Sequence, residues 1–211
     1  MEIPDLGLYL LTGEDISAGR STLEIVEKAI EGGVQTIQLR EKKMSAGQLV
    51  RLGKKLRVIT RENGVALIIN DRVDVALAVG ADGVHLGQDD FPIEEARKLL
   101  GNRAILGLSV DNVEEAVKAE RAGADYVGLG PIYRTMTKTD TGPVIGPESI
   151  REVKDRIGIP VVAIGGIHME NAPAALRAGA DSLAVITAVT EARDITGAAR
   201  DLTNLIRQYG G

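Results

Sequence analysis

The stretch Thr36-Ile-Gln-Leu-Arg-Glu-Lys42 sets the fold and points to the chemistry. Ile37 and Leu39 alternate with Thr36, Gln38 and Arg40, the period-two pattern of a β-strand. Ile37, Leu39 and Glu41 share one face of that strand, and Gln38, Arg40 and Lys42 share the other. Helical patterns flank the stretch on both sides, which predicts a buried parallel strand rather than a surface one. An amide and two cations at the C-terminal end of such a strand are costly to desolvate unless an anion meets them. A solvated strand end and an anion site are the two readings.

The same alternation of short β-rich runs and amphipathic helices continues from end to end. Strands are predicted near residues 7–11, 36–39, 66–69, 83–86, 105–108, 126–129, 161–164 and 182–185. Helices are predicted near residues 23–31, 46–61, 73–79, 93–100, 113–121, 148–156, 172–177 and 197–208. Eight strands, each followed by a helix, predict an α/β (βα)8 TIM barrel, a single domain over residues 1–211. An open doubly wound sheet is the alternative, and it would more typically use five or six strands. A recurrent junction supports the barrel: Val79-Gly-Ala-Asp-Gly-Val84, Ala122-Gly-Ala-Asp-Tyr-Val127 and Ala178-Gly-Ala-Asp-Ser-Leu183, with Glu31-Gly-Gly-Val34 a looser copy. Glycine ends a helix and a small polar turn feeds the next strand. These turns belong to the bottom of the barrel, so Asp82, Asp125 and Asp181 are read as structural.

Composition narrows the function. The chain has 211 residues, 44% of them apolar and 26% charged, the balance of a soluble globular protein. A net charge of −5, one Phe, four Tyr and no Trp argue against nucleic acid as a partner. The absence of cysteine excludes disulfides, zinc-thiolate sites and thiol nucleophiles. No secretory signal is apparent at the N-terminus, and no apolar run approaches the roughly 18 residues that span a bilayer. A cytoplasmic protein without membrane contact is expected.

Active sites of this fold lie at the C-terminal ends of the strands. There the sequence places Arg40 and Lys42 after strand two, Asn70-Asp71-Arg72 after strand three, and Gly87-Gln-Asp-Asp90 after strand four. Ser109 and Asp111 end strand five, and Gly165-Gly166-Ile167 and Ile186-Thr187 end strands seven and eight. Asp71 alone could cap the third helix, and Asp89 or Asp90 the fourth. Beside Arg40 and Lys42 they suit Mg²⁺, which takes one or two carboxylates plus phosphate oxygens. Residues 128–142 form a long Gly- and Thr-rich loop carrying Thr135, Thr137 and Lys138, a candidate phosphate clamp and lid. The glycine pair and Thr187 occupy the usual barrel phosphate site. One mouth thus suits a phosphomonoester on one side and a metal diphosphate on the other. His85 reads as a satisfied core histidine and His168 as a surface one. No Ser-His-Asp or Schiff-base lysine arrangement stands out.

Six motifs in order carry a resemblance: Gln38-Leu-Arg-Glu-Lys42, Ile69-Asn-Asp-Arg72, Val84-His-Leu-Gly-Gln-Asp-Asp90, Gly128-Leu-Gly-Pro-Ile-Tyr133, Thr135-Met-Thr-Lys138 and Ala163-Ile-Gly-Gly-Ile167. Together they closely resemble the thiamine-phosphate synthase family over nearly the whole chain. The resemblance implies a transferase that joins hydroxymethylpyrimidine diphosphate to a thiazole phosphate (or its carboxylated form), releasing diphosphate. It implies Gln38, Arg40, Lys42, Asn70, Ser109 and Lys138 at the pyrimidine diphosphate, with Lys138, Ser109 and Arg40 catalytic. It implies Asp71 and Asp90 as Mg²⁺ ligands, and Thr135, Thr137, Gly166, Ile186 and Thr187 at the thiazole phosphate. The family is often oligomeric, which makes a homo-oligomer an expectation. Two positions depart from the family pattern: Asp111 stands where His is frequent, and Arg134 where Pro is frequent. A thiazole tautomerase, a relative that usually lacks the aspartate after strand three and the Thr-x-Thr-Lys lid, fits less well. A non-catalytic phosphate sensor would predict eroded metal ligands, and a sugar-phosphate isomerase would want a poised base.

Overall fold

The computed structural model describes residues 5–135 and 142–209. Its eight strands are β1 Leu8–Leu11, β2 Thr36–Leu39, β3 Ala66–Asn70, β4 Gly83–Leu86, β5 Ile105–Val110, β6 Tyr126–Leu129, β7 Val161–Ile164 and β8 Ser182–Val185. All are parallel, each pairs with its sequence neighbours, and β1 pairs with β8 to close the barrel. Closure rules out the open sheet. Helices α1 Thr22–Glu31, α2 Ala46–Glu62, α3 Val73–Val79, α4 Ile93–Leu100, α5 Val113–Arg121, α6 Glu148–Lys154 and α7 Ala172–Arg177 follow the first seven strands. After β8 come a short α8, Thr187–Thr190, and then α9, Ile195–Tyr209. The sequence pattern shows neither α8 nor the 3-10 turn at Glu14–Ile16, because three or four residues are too few to display a period. Among the described residues no helix is long and apolar enough to cross a membrane.

Strand alternation sorts side chains into two cores. Ile37 and Leu39 of β2 are fully buried and pack with Leu10, Leu67, Ile69 and Val84 against the helices. Truncating such a residue, as in Leu39→Ala, costs about 2–5 kcal/mol. Gln38 turns the other way, into a barrel interior filled by Tyr9, Leu11, Ile68, Ile105, Tyr126, Val162 and Ala184. Helix starts are marked locally: Ser21 and Asn112 accept from the backbone N–H three residues on, and Ser45 forms a full capping box with Gln48. Glu41 is buried although it follows a strand end. Its carboxylate accepts from the Glu14 N–H and the Thr22 hydroxyl, both at 2.8 Å, which ties the β1 loop and α1 to β2.

The Gly-Ala-Asp junctions form a repeated clamp at the bottom rim. Asp82 accepts from the Leu67 N–H at 2.8 Å and from the Arg57 guanidinium at 2.6 and 2.9 Å. Asp125 accepts from the Leu106 N–H and Arg97, both at 2.7 Å. Asp181 accepts from the Val161 N–H at 2.7 Å and from Lys154 at 2.7 and 2.9 Å. Each clamp joins a strand to the strand before it and to a cation from the helix two units back. The looser fourth copy uses Gln35, whose amide donates to Asp5, while Asp5 accepts from the Gly7 N–H.

Candidate active site

The C-terminal ends of the strands surround one cavity of about 1100 Å³. Gln38, Arg40, Lys42, Asn70, Asp71, Asp90, Ser109, Thr135, Gly166, Ile186 and Thr187 all line it, as do Asp89 and Asp111. Thr137 and Lys138 lie outside the described residues. Arg72 turns away from the mouth, because its guanidinium pairs with Asp74 at 2.6 Å.

Two sides of the mouth are built differently. On one side β2 delivers Arg40 and Lys42, and β3 and the β4 loop deliver Asp71 and Asp90. The alternative that Asp71 caps α3 fails, since α3 has no side-chain cap. Asp71 sits at φ 62°, a left-handed conformation uncommon for a side chain other than glycine. There it comes within hydrogen-bonding reach of Asp90. Burial, and then the neighbouring Asp90 carboxylate, push the Asp71 carboxyl up to about 6, against the opposing pull of Lys42. Asp90 does not cap α4 either. Its carboxylate accepts from the Gly87 N–H at 2.7 Å and closes the β4 turn.

On the other side the β6 and β7 loops interlock. The Ile132 N–H donates to the Ile164 carbonyl at 2.9 Å and the Tyr133 N–H to the Gly165 carbonyl at 3.0 Å. Gly166, at φ 63°, lies so close to the Arg134 carbonyl that a Cβ there would collide with it. The glycine pair therefore has a packing reason to exist. Asn171 donates from its amide to the Gly166 carbonyl at 2.8 Å and holds this turn in place.

Sequence reasoning missed the floor of the cavity. Gln38, Tyr9, Tyr126, His85 and Ser109 form one hydrogen-bonded chain across the barrel, with links of 2.8, 2.8, 2.9 and 2.9 Å. His85 is the satisfied interior histidine that the sequence predicts. The tyrosines gave no such signal, because a Tyr in an apolar strand reads as packing.

A closed barrel with cations facing paired carboxylates over a polar mouth defines a (βα)8 enzyme suited to anionic ligands. A family profile described as thiamine monophosphate synthase matches residues 8–189, so the chain belongs to the thiamine-phosphate synthase family. It is 50% identical over 204 residues to the thiamine-phosphate synthase of Chloroflexus aurantiacus, covering 97% of this chain and 94% of that one. The thiamine-phosphate synthase of Methanospirillum hungatei is 48% identical over 202 residues, covering 96% of this chain and 98% of that one. The solved thiamine phosphate pyrophosphorylase of Pyrococcus furiosus superposes with a TM-score of 0.89 at 41% identity, covering 98% of both chains.

Proposed function

We propose that this protein makes thiamine phosphate by joining hydroxymethylpyrimidine diphosphate to thiazole phosphate or its carboxylated form. The observation that carries the reading is the convergence of Arg40, Lys42, Asp71 and Asp90 on one cavity of about 1100 Å³, roomy enough for two ligands, with Lys42 close enough to pull on the Asp71 carboxyl. In the reaction the bond between the pyrimidine methylene and the diphosphate oxygen breaks, and its electron pair leaves with diphosphate. The thiazole nitrogen then donates its lone pair to the methylene carbon. That nucleophile needs no deprotonation, which agrees with the lack of a Ser-His-Asp arrangement among the described residues of the mouth.

The residues divide the work. Arg40, Lys42 and Lys138 neutralise the departing diphosphate, and Gln38, Asn70 and Ser109 hold the pyrimidine diphosphate. Thr135, Thr137, Gly166, Ile186 and Thr187 hold the thiazole phosphate. Closing the mouth excludes water, which would otherwise compete for the cationic carbon.

The donor set fits Mg²⁺. Asp71 and Asp90 would supply hard oxygen ligands, and the Asp90 carboxylate raises the cost of ionising Asp71, a cost that a divalent cation held there would relieve. Among the described residues no group of three or more acidic or histidine side chains gathers, so water and diphosphate oxygens would complete the shell. When bound, the ion supplies charge neutralisation at the diphosphate. We therefore propose a magnesium-dependent transferase acting on small molecules, with the cytoplasmic location and homo-oligomeric state that the family resemblance implies.

The test is to incubate the protein with both substrates and Mg²⁺, with a chelator as control. Thiamine phosphate and diphosphate are expected in equal amounts with Mg²⁺, and little of either with chelator. Folded protein that forms no thiamine phosphate at any Mg²⁺ concentration overturns the reading.

A further inference from the structure

The floor of the mouth carries a polar chain that ligand contact alone does not explain. Tyr9 and Tyr126 are 1% and 0% exposed, deep among apolar side chains, yet their hydroxyls touch each other and link two cavity-lining residues on opposite walls. The barrel is built around them. A Cβ at Gly107 would collide with the Tyr126 ring and crowd His85 Nδ1, and one at Gly128 would come within 2.9 Å of His85 Cε1. The Gln38 side chain is 2% exposed, lines the cavity, and has its carbonyl Oε1 without a hydrogen-bond partner among the described residues. A buried carbonyl without a partner is destabilising, and a ligand donor would relieve it.

Proton accounting gives the chain a direction. The Gln38 amide donates to the Tyr9 oxygen at 2.8 Å. With that bond fixed, the assignment that gives each hydroxyl proton an acceptor has the Tyr9 O–H donating to the Tyr126 oxygen at 2.8 Å and the Tyr126 O–H donating to His85 Nδ1 at 2.9 Å. His85 then carries its N–H at Nε2 and donates to Ser109 Oγ at 2.9 Å. The Ser109 proton is thereby turned outward. Burial pushes both tyrosine hydroxyls above their ordinary range, so each keeps one proton to donate, and the Gln38 amide at the head of the chain sets the direction.

We propose that Tyr9, Tyr126 and His85 are positioning residues that fix the hydrogen-bond polarity of Gln38 and Ser109. The floor then offers one acceptor, Gln38 Oε1, and one donor, the Ser109 hydroxyl. An aromatic ring with an amino group beside a ring nitrogen matches this pair, and the corresponding oxo ring, whose donor and acceptor are exchanged, does not. The inference rests on the pyrimidine reading above and adds how the ring is told from its oxo counterpart.

The test is calorimetric titration of the amino and oxo forms of hydroxymethylpyrimidine diphosphate, and of diphosphate alone, into wild-type, Tyr126→Phe and Tyr9→Phe proteins. Wild type is expected to favour the amino form by about 100-fold, the value of two reversed hydrogen bonds. Each Phe variant keeps the ring volume and breaks the chain, so the preference should fall about tenfold. Affinity for diphosphate alone should stay unchanged, because Arg40 and Lys42 are untouched. A preference for the oxo form reports the opposite direction and overturns the assignment. So does an unchanged amino preference in both variants, or an equal loss of affinity for all three ligands. If wild type makes thiamine phosphate while these ratios do not move, the relay alone fails. If wild type makes none, the proposed function fails.

Discussion

Asp125 at the bottom rim accepts from the Leu106 N–H and the Arg97 guanidinium, both at 2.7 Å, and its charge is balanced within the chain. Asp71 at the mouth faces a second carboxylate, and its carboxyl is pushed up to about 6 by burial and by Asp90. The same residue type thus ends a turn at each end of one barrel, with opposite electrostatics. At the bottom the repeated sequence Gly-Ala-Asp brings its own cation, supplied by Arg57, Arg97 or Lys154 on a neighbouring helix. At the mouth cations and anions are separated onto different loops, which leaves fields for a ligand to balance. A rim that satisfies itself supports stability, and a rim that does not supports chemistry.

Removing charge at the mouth should break the comparison most sharply in activity. Arg40→Ala should lower kcat/KM for thiamine phosphate formation about 100- to 1000-fold, the usual cost of losing one group that stabilises developing charge. Its melting temperature should stay close to that of the parent, since Arg40 makes no ion pair among the described residues. A large melting shift with intact turnover would place Arg40 among the structural residues instead.

The bottom rim should answer in the opposite way. Asp125→Ala strands a buried strand N–H and the Arg97 guanidinium, a cost of about 2–4 kcal/mol. For a chain of this length that is a fall of roughly 5–10 °C in melting temperature. Turnover well below the melting point should be near the parent value. Loss of turnover without loss of stability would show that the two rims are coupled.

The same contrast explains what could be read from the sequence. Strands such as Thr36–Leu39 and Val161–Ile164 were legible because each is a short alternating or apolar run between clear glycine turns. The mouth residues Arg40, Asp71 and Asp90 were legible because polar groups immediately after strands stand out from the apolar background. The Tyr9–Tyr126 link was not, since its partners lie 117 residues apart and meet only when the barrel closes. Glu41 was legible only in part: the alternation puts it on the face of Ile37 and Leu39, but its partners, the Glu14 N–H and the Thr22 hydroxyl, meet it only in the folded barrel. Local pattern reveals direction along the chain, whereas polar networks depend on which side chains share a layer of the barrel.

The smallest expected effect isolates the mouth's charge imbalance. In chelator, with no divalent cation bound, the folded protein holds the Asp71 proton up to about 6, while the unfolded chain releases it near the ordinary value of 3.8. The folded state therefore binds more protons between those values, and its stability falls as pH rises through that window, becoming level above it. Asp71→Asn removes the ionisation and should escape the fall. Its melting temperature relative to the parent should climb from pH 4 to pH 7 and then stay flat, by about 1–3 °C in total because the site is partly screened by solvent. A second cause is separable by shape. Asn tolerates the left-handed backbone at φ 62° better than most residues, and that benefit is independent of pH. A constant gain at every pH would assign the effect to backbone and deny the carboxylate repulsion, whereas a rise confined to the window between the two values would assign it to Asp71 facing Asp90.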